Sequence, residues 1–125
     1  MNYENIIRQS ITNDGFKISK KLLADIAISE IKRGIVLMFQ YGNAVFTVDA
    51  NEAMPEIHVY SAGVGTEAVS CFKSFMRDLW KKTSHKTVYA RAKNKKVYRF
   101  LESQGWVKLG IDQNGYHSYS MNRSV

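Results

Sequence analysis

The sequence predicts a single α/β domain in which a central mixed, mostly antiparallel sheet is flanked by helices. Three observations carry that expectation. A chain of 125 residues can bury one hydrophobic core and would starve a second. Apolar residues make up 45% and charged residues 23%, the balance of a chain that folds throughout. The hydrophobic period switches along the chain, from helical spacing to continuous or alternating β-branched and aromatic runs, and back. Repeats, low-complexity stretches and Pro/Gly/Ser linkers are absent, so residues 1–125 are read as one domain.

The elements follow in order. Ile6, Ile7 and Ile11 give a short amphipathic helix that Asn13-Asp14-Gly15 breaks. Leu22, Leu23, Ile26, Ala27 and Ile31 recur at helical spacing, with Ser19 as N-cap and Gly34, after Lys32 and Arg33, as stop. Ile35 to Tyr41 and Ala44 to Val48 are apolar runs separated by Gly42-Asn43, a hairpin signal. After Asp49-Ala50-Asn51-Glu52 and the lone proline, Pro55, the run Glu56-Ile57-His58-Val59-Tyr60 alternates as a third strand. Glu56, His58 and Tyr60 share one face of it, Ile57 and Val59 the other.

Thr66 to Lys82 is the clearest helix. Ala68, Val69, Phe72, Phe75, Met76, Leu79 and Trp80 form its apolar face, and Thr66 is its expected N-cap. Lys73, Arg77 and Lys81 lie four apart on the opposite face as a basic stripe. Thr87 to Ala92 is the next strand, and a helix through Val97, Phe100 and Leu101 stops at Gly105. Trp106 to Ile111 and Tyr116 to Met121 are strands flanking the turn Asp112-Gln113-Asn114-Gly115.

Several function classes are disfavoured by composition. Cys71 is the only cysteine, so no internal disulfide or cysteine-based zinc site can form, and its place in an apolar helical pattern marks a buried small hydrophobe. His58, His85 and His117 have no metal-ligand spacing, and no metal is expected. No apolar run approaches the ~20 residues that cross a bilayer, and the first residues lack a signal-peptide layout, so a cytoplasmic or virion-packaged protein is expected. Charge is lopsided: residues 1–65 hold 6 Lys or Arg against 7 Asp or Glu, and residues 66–125 hold 12 against 4, a net −1 and +8. The basic half suits an anionic partner: cofactor phosphates, a nucleic-acid backbone or an acidic protein surface.

The stretch from Tyr89 to Trp106 reads as strand, Asn94, short helix, then Gly105 followed by an aromatic. With the preceding strand, loop and helix it resembles the GNAT acetyltransferase superfamily over residues 35–121. The resemblance implies that acetyl-CoA binds at the family's fourth strand and the helix after it, where the fourth and fifth strands splay to admit the pantetheine arm, and that Asn94 lies near the cofactor. The family's pyrophosphate loop, an Arg or Gln and then Gly-x-Gly opening the long helix, is similar to Gly63-Val64-Gly65 before Thr66, although the Arg or Gln is missing here. Glycines there let backbone N–H groups approach phosphates at a helix N-terminus. Where many members have a tyrosine that protonates the leaving thiolate, this chain has Leu101, with Tyr98 one turn earlier. By the same resemblance Glu56 or His58 is the base that takes the amine proton.

The resemblance therefore implies an acetyl-CoA-dependent N-acetyltransferase-like protein acting on an amine. The missing Arg or Gln and Leu101 support an alternative, a GNAT-fold protein without chemistry that binds a host or virion protein, since small divergent members of bacteriophages are similar in length. A third reading is nucleic-acid binding through Lys73, Arg77, Lys81, Lys93, Lys95, Lys96 and Arg99.

Overall fold

A computed structural model describes residues 2–12, 19–61 and 66–123. Among them run α1 (Tyr3–Thr12), α2 (Lys20–Lys32), β1 (Leu37–Tyr41), β2 (Ala44–Val48), β3 (Ile57–Ser61), α3 (Thr66–Lys82), β4 (Thr87–Ala92), α4 (Lys95–Ser103), β5 (Val107–Ile111) and β6 (His117–Asn122). The expected break at Asn13-Asp14-Gly15 lies outside the described residues.

Local chemistry sets the element ends. Ser19 Oγ accepts the Leu22 N–H at 3.4 Å and caps α2. At the other end Gly34 takes φ +72°, with Gly34 N–H donating to the Ile31 carbonyl and Ile35 N–H to that of Glu30. This paired closure holds the Ile35 N–H on the helix, so β1 starts at Leu37, two residues later than its apolar run. Gly42, at φ +58°, turns β1 directly into β2 with Tyr41 opposite Ala44. A positive φ at the first turn position only is the II′ pattern, whose twist matches the strands.

The strands form two antiparallel triplets, β1-β2-β3 and β4-β6-β5. They meet where Glu56 and Tyr89 make a parallel bridge and the Tyr89 N–H donates to the Pro55 carbonyl at 2.9 Å. The sheet is thus mixed but mostly antiparallel, as expected. The last strand does not simply add outside its hairpin partner: β6 inserts between β4 and β5, with Tyr119 opposite both Ala90 and Lys108.

β2 is buried along its whole length because both faces are covered. Ala44, Phe46 and Val48 join Phe72, Phe75 and Leu79 of α3 in the larger core cluster, while Val45 packs with Ile6, Ile7, Ile11, Ala24 and Ile28 of α1 and α2. Phe46 stacks on Phe75 at 4.3 Å, and Phe39 meets Phe75 edge-on at 5.4 Å. Burying each such ring is worth about 1.5–3 kcal/mol. α4 seals the other end of the same face through Leu101 and Phe100, the latter 5.1 Å from Phe72. On α2 the expected Leu23, Ala27 and Ile31 pack against the smaller cluster, but the stripe is rotated to bury Ala24 and Ile28 and to leave Leu22 and Ile26 exposed. The contact with α1 selects the small Ala24 for close approach and turns the neighbouring leucine and isoleucine outward.

Candidate active site between β3 and β4

Beyond the Glu56–Tyr89 bridge no further pairing joins β3 to β4 among the described residues, so the two strands part toward their C-terminal ends. Burial records the opening. Ile57 and Val59 point to the same face of β3, yet Ile57 is 6% exposed and Val59 47%. Across the gap Ala90 and Ala92 of β4 stay buried in the cluster that α4 covers. The result is a wedge with one apolar wall open to solvent. Three side-chain polar atoms are buried without a hydrogen-bonding partner among the described residues: Trp106 Nε1, in the core against Phe72, and, where the wedge opens, Ser61 Oγ at the end of β3 and His117 Nδ1 opposite Ala92 at the end of β4. Unsatisfied buried polar atoms cost about 1–3 kcal/mol each, which makes the latter two candidate ligand contacts.

Comparison with solved structures shows the fold. The chain is similar to a ribosomal-protein-alanine N-acetyltransferase from Brucella melitensis, with TM-score 0.66 and 12% identity over 96% of this chain and 91% of that one. It is similar to a spermidine N-acetyltransferase variant from Vibrio cholerae, with TM-score 0.67 and 12% identity over 97% and 92%. A microcin self-immunity acetyltransferase in complex with acetyl-CoA and AMP matches with TM-score 0.61 and 13% identity over 97% and 87%. The chain has the GNAT fold. No protein-family model matches the sequence, and no curated protein matches it in sequence.

Within the GNAT fold the residues singled out by sequence fall into three groups. Gly63, Val64 and Gly65 lie outside the described residues, and so does the side chain of Thr66, whose backbone opens α3. Asn94 is the N-cap of α4: its Oδ1 accepts the Lys96 N–H at 2.9 Å, leaving the Nδ2 group outside that cap. With Lys95, Lys96 and Arg99 it lines a shallow basic depression at the start of α4.

Glu56 and His58 come together on the opposite face, the α1/α2 side, which Tyr60 shares and where it packs against the smaller core cluster. Burial, with Glu30 nearby, pushes the Tyr60 phenol up, so it stays a neutral wall. Glu56 precedes β3 rather than belonging to it. Its N–H donates to Asp49 Oδ1, which fixes the residue at the apex of the wedge. Its carboxylate accepts Arg91 Nε–H at 2.7 Å through Oε1, and Oε2 stands 3.9 Å from His58 Nε2. The Glu56 bond drives the Arg91 guanidinium further into its charged form. The His58 side chain is 47% exposed and that of Glu56 22%. His58 is thus the open end of the array and Glu56 its anchored centre.

Sequence reasoning missed Arg91, Ser61 and His117. Arg91 pairs with a residue 35 positions away, and nothing local marks it. Leu101 is buried in the core, so no acid stands at that position. Tyr98 stacks on His117 with ring centroids 3.8 Å apart and planes 7° from parallel, a packing role on α4.

Proposed function

We propose that this domain, taken as residues 1–125, is an acetyl-CoA-dependent N-acetyltransferase acting on an amine acceptor. The observation that carries the reading is the wedge between β3 and β4, with Val59 bare on one face and the Arg91–Glu56–His58 array on the other. Bound acetyl-CoA supplies an activated acyl group as a thioester. The residues present fit it: Val59 offers an apolar wall to a pantetheine arm, and Ser61 Oγ and His117 Nδ1 are orphaned polar atoms suited to its amides. Gly63, Val64, Gly65 and Thr66 would lead its phosphates to the start of α3, and Asn94 offers its Nδ2 group at the start of α4.

The acceptor amine approaches from the α1/α2 side. His58 takes its proton, because its imidazole nitrogen is the exposed end of the array. Glu56 is the poorer acceptor, since one oxygen already serves Arg91 and protonation would leave that guanidinium uncompensated. Its charge instead stabilises the imidazolium as it forms. With no phenol at Leu101, rate would come mainly from positioning.

Isothermal titration with acetyl-CoA tests the reading, on the wild type and on a Val59→Trp variant that fills the wedge without touching the core. Saturable binding that the variant loses is expected. Absence of binding to the wild type overturns the enzyme reading. It would select the second one, a catalytically silent phage protein that works in the host cytoplasm or virion by binding another protein. Leu101 in the core and Tyr98 stacked on His117 are the observations that favour this alternative. Among the described residues no helix is long and apolar enough to cross a membrane.

A further inference from the structure

The opening between β3 and β4 leaves most of the molecule's positive charge unexplained. α3 and α4 cover the same face of the sheet, and their outer surfaces carry exposed Lys73, Arg77 and Lys81 on one helix and Lys95, Lys96 and Arg99 on the other. On their inner sides the two helices meet through Phe72 and Phe100, whose ring centroids are 5.1 Å apart. Two acids on these helices, Asp78 and Glu102, are each engaged by a tyrosine. Asp78 accepts the Tyr41 hydroxyl, with Arg77 3.4 Å away, and Glu102 accepts the Tyr119 hydroxyl. Among the described residues no carboxylate comes within ion-pairing distance of Lys73, Lys81, Lys95, Lys96 or Arg99. Asp78 and Glu102 thus serve phenols, and the lysines and Arg99 face water.

We propose that this α3/α4 face docks on the backbone of duplex DNA, independently of any acetyl-transfer chemistry. Three features favour that partner over the cofactor alone or a single strand. The stripe Lys73, Arg77, Lys81 advances about 6 Å per step along the helix axis, a run of roughly 12 Å that tracks successive phosphates of one strand. Lys81 sits about 22 Å along α3 from Thr66, too far for phosphates seated at the start of that helix. Among the described residues α3 and α4 carry no fully exposed aromatic beside these cations, and Tyr116, before β6, lies against Lys93 and Arg91 instead. Trp80 is half-buried beneath Arg123, whose guanidinium lies 5.1 Å from the ring centroid, and Tyr98 is stacked on His117. Contacts limited to phosphates carry no sequence preference.

Fluorescence anisotropy with a labelled mixed-sequence DNA duplex of about 20 base pairs, titrated between roughly 50 and 200 mM salt, tests this. Neutralising five phosphates gives a slope of log K against log salt of about −4.5. The double variant Lys73→Gln, Lys81→Gln should flatten that slope by about 2 and weaken binding by about tenfold or more at low salt. Lys21→Gln, an exposed α2 lysine on the other side of the sheet, should change neither. The proposal is overturned by no binding at the lowest salt, by a slope that the double variant leaves intact, or by tighter binding to the single strand or to duplex RNA. Stoichiometric displacement of the duplex by acetyl-CoA also overturns it, because the cations would then belong to the cofactor site.

Discussion

Leu101 and Tyr119 occupy neighbouring parts of the same core, and each fixes what its environment can do. Leu101 is 6% exposed beneath α4, so a phenol introduced there would be forced into packed apolar space with its hydroxyl unsatisfied. Leu101→Tyr should therefore cost roughly 1–3 kcal/mol in urea unfolding and raise no acetyl-transfer rate. A stable variant with a faster turnover would show that α4 can move aside for an acid. Tyr119 shows the complementary case, a buried phenol with its partner supplied. Burial first, and its bond to Glu102 second, push its pKa from 10.0 up to about 12, so the folded state favours the neutral phenol. That contribution is fully present below pH 10 and is lost as pH rises toward about 12. Tyr119→Phe should lower stability at neutral pH by about 1 kcal/mol and weaken the decline between pH 10 and 12. Unfolding at pH 7 and at pH 11 separates the two effects. Tyr41 behaves the same way toward Asp78, also reaching about 12, so some alkaline loss persists in the variant. At this scale the sequence is legible where spacing is local: Asn94 reads as a residue at the head of a helix, and Leu101 as a missing acid. Arg91, Ser61 and His117 are not, because their meaning lies in partners, or orphaned atoms, created by distant strands.

Elements were legible in proportion to how far their ends are set by their own chemistry. Ser19, Gly34 and Gly42-Asn43 each mark a boundary that the structure keeps, because a cap or a turn is satisfied within five residues. The placement of β6 is not of that kind. The turn at Asp112, whose Oδ1 accepts the Asn114 and Tyr116 N–H groups, specifies a β5–β6 hairpin but not which of the two strands docks on β4. Side-chain burial decides it: Tyr119 can be fully buried only from the middle position, while β5 is exposed at every residue. The α2 stripe was legible at Leu23, Ala27 and Ile31 but not at its edges, since Leu22 and Ile26 match the helical period as well as Ala24 and Ile28 do, and only the neighbouring α1 chooses between them. A direct test at this scale is Gly42→Val. The φ of +58° is a left-handed conformation that a β-branched residue adopts at a cost of roughly 1–2 kcal/mol. Chemical denaturation should register that loss; an unchanged unfolding midpoint would contradict the assignment of Gly42 to a left-handed turn position.

Across the whole molecule, one shared core holds together two half-sheets that scarcely touch each other directly. Phe46 and Val48 of the first half, Val88, Ala90 and Tyr119 of the second, and Phe75 of α3 belong to a single cluster, whereas the strands themselves meet at the Glu56–Tyr89 bridge and the Arg91–Glu56 ion pair. The molecule can therefore keep a wedge open without coming apart, and N–H groups of β3 that point away from β2 near Val59 face the gap rather than a neighbouring strand. Those amides should exchange with solvent faster than the amides of β2, which is buried throughout. A ligand that binds only the folded state stabilises it by mass action, about 2.7 kcal/mol at a hundredfold excess over its Kd, or a rise in Tm of roughly 10 °C for a domain of this size. Acetyl-CoA seated in the wedge should produce that rise and, in the same sample, slow exchange selectively in β3 and β4. Phe75→Ala, which removes the ring stacked on Phe46, should lower stability by about 3–5 kcal/mol across both half-sheets together, because the cluster is common to them. A thermal shift from acetyl-CoA with protection confined to α3 and α4, and none in β3, would place the ligand on the basic outer face and remove the wedge as its site.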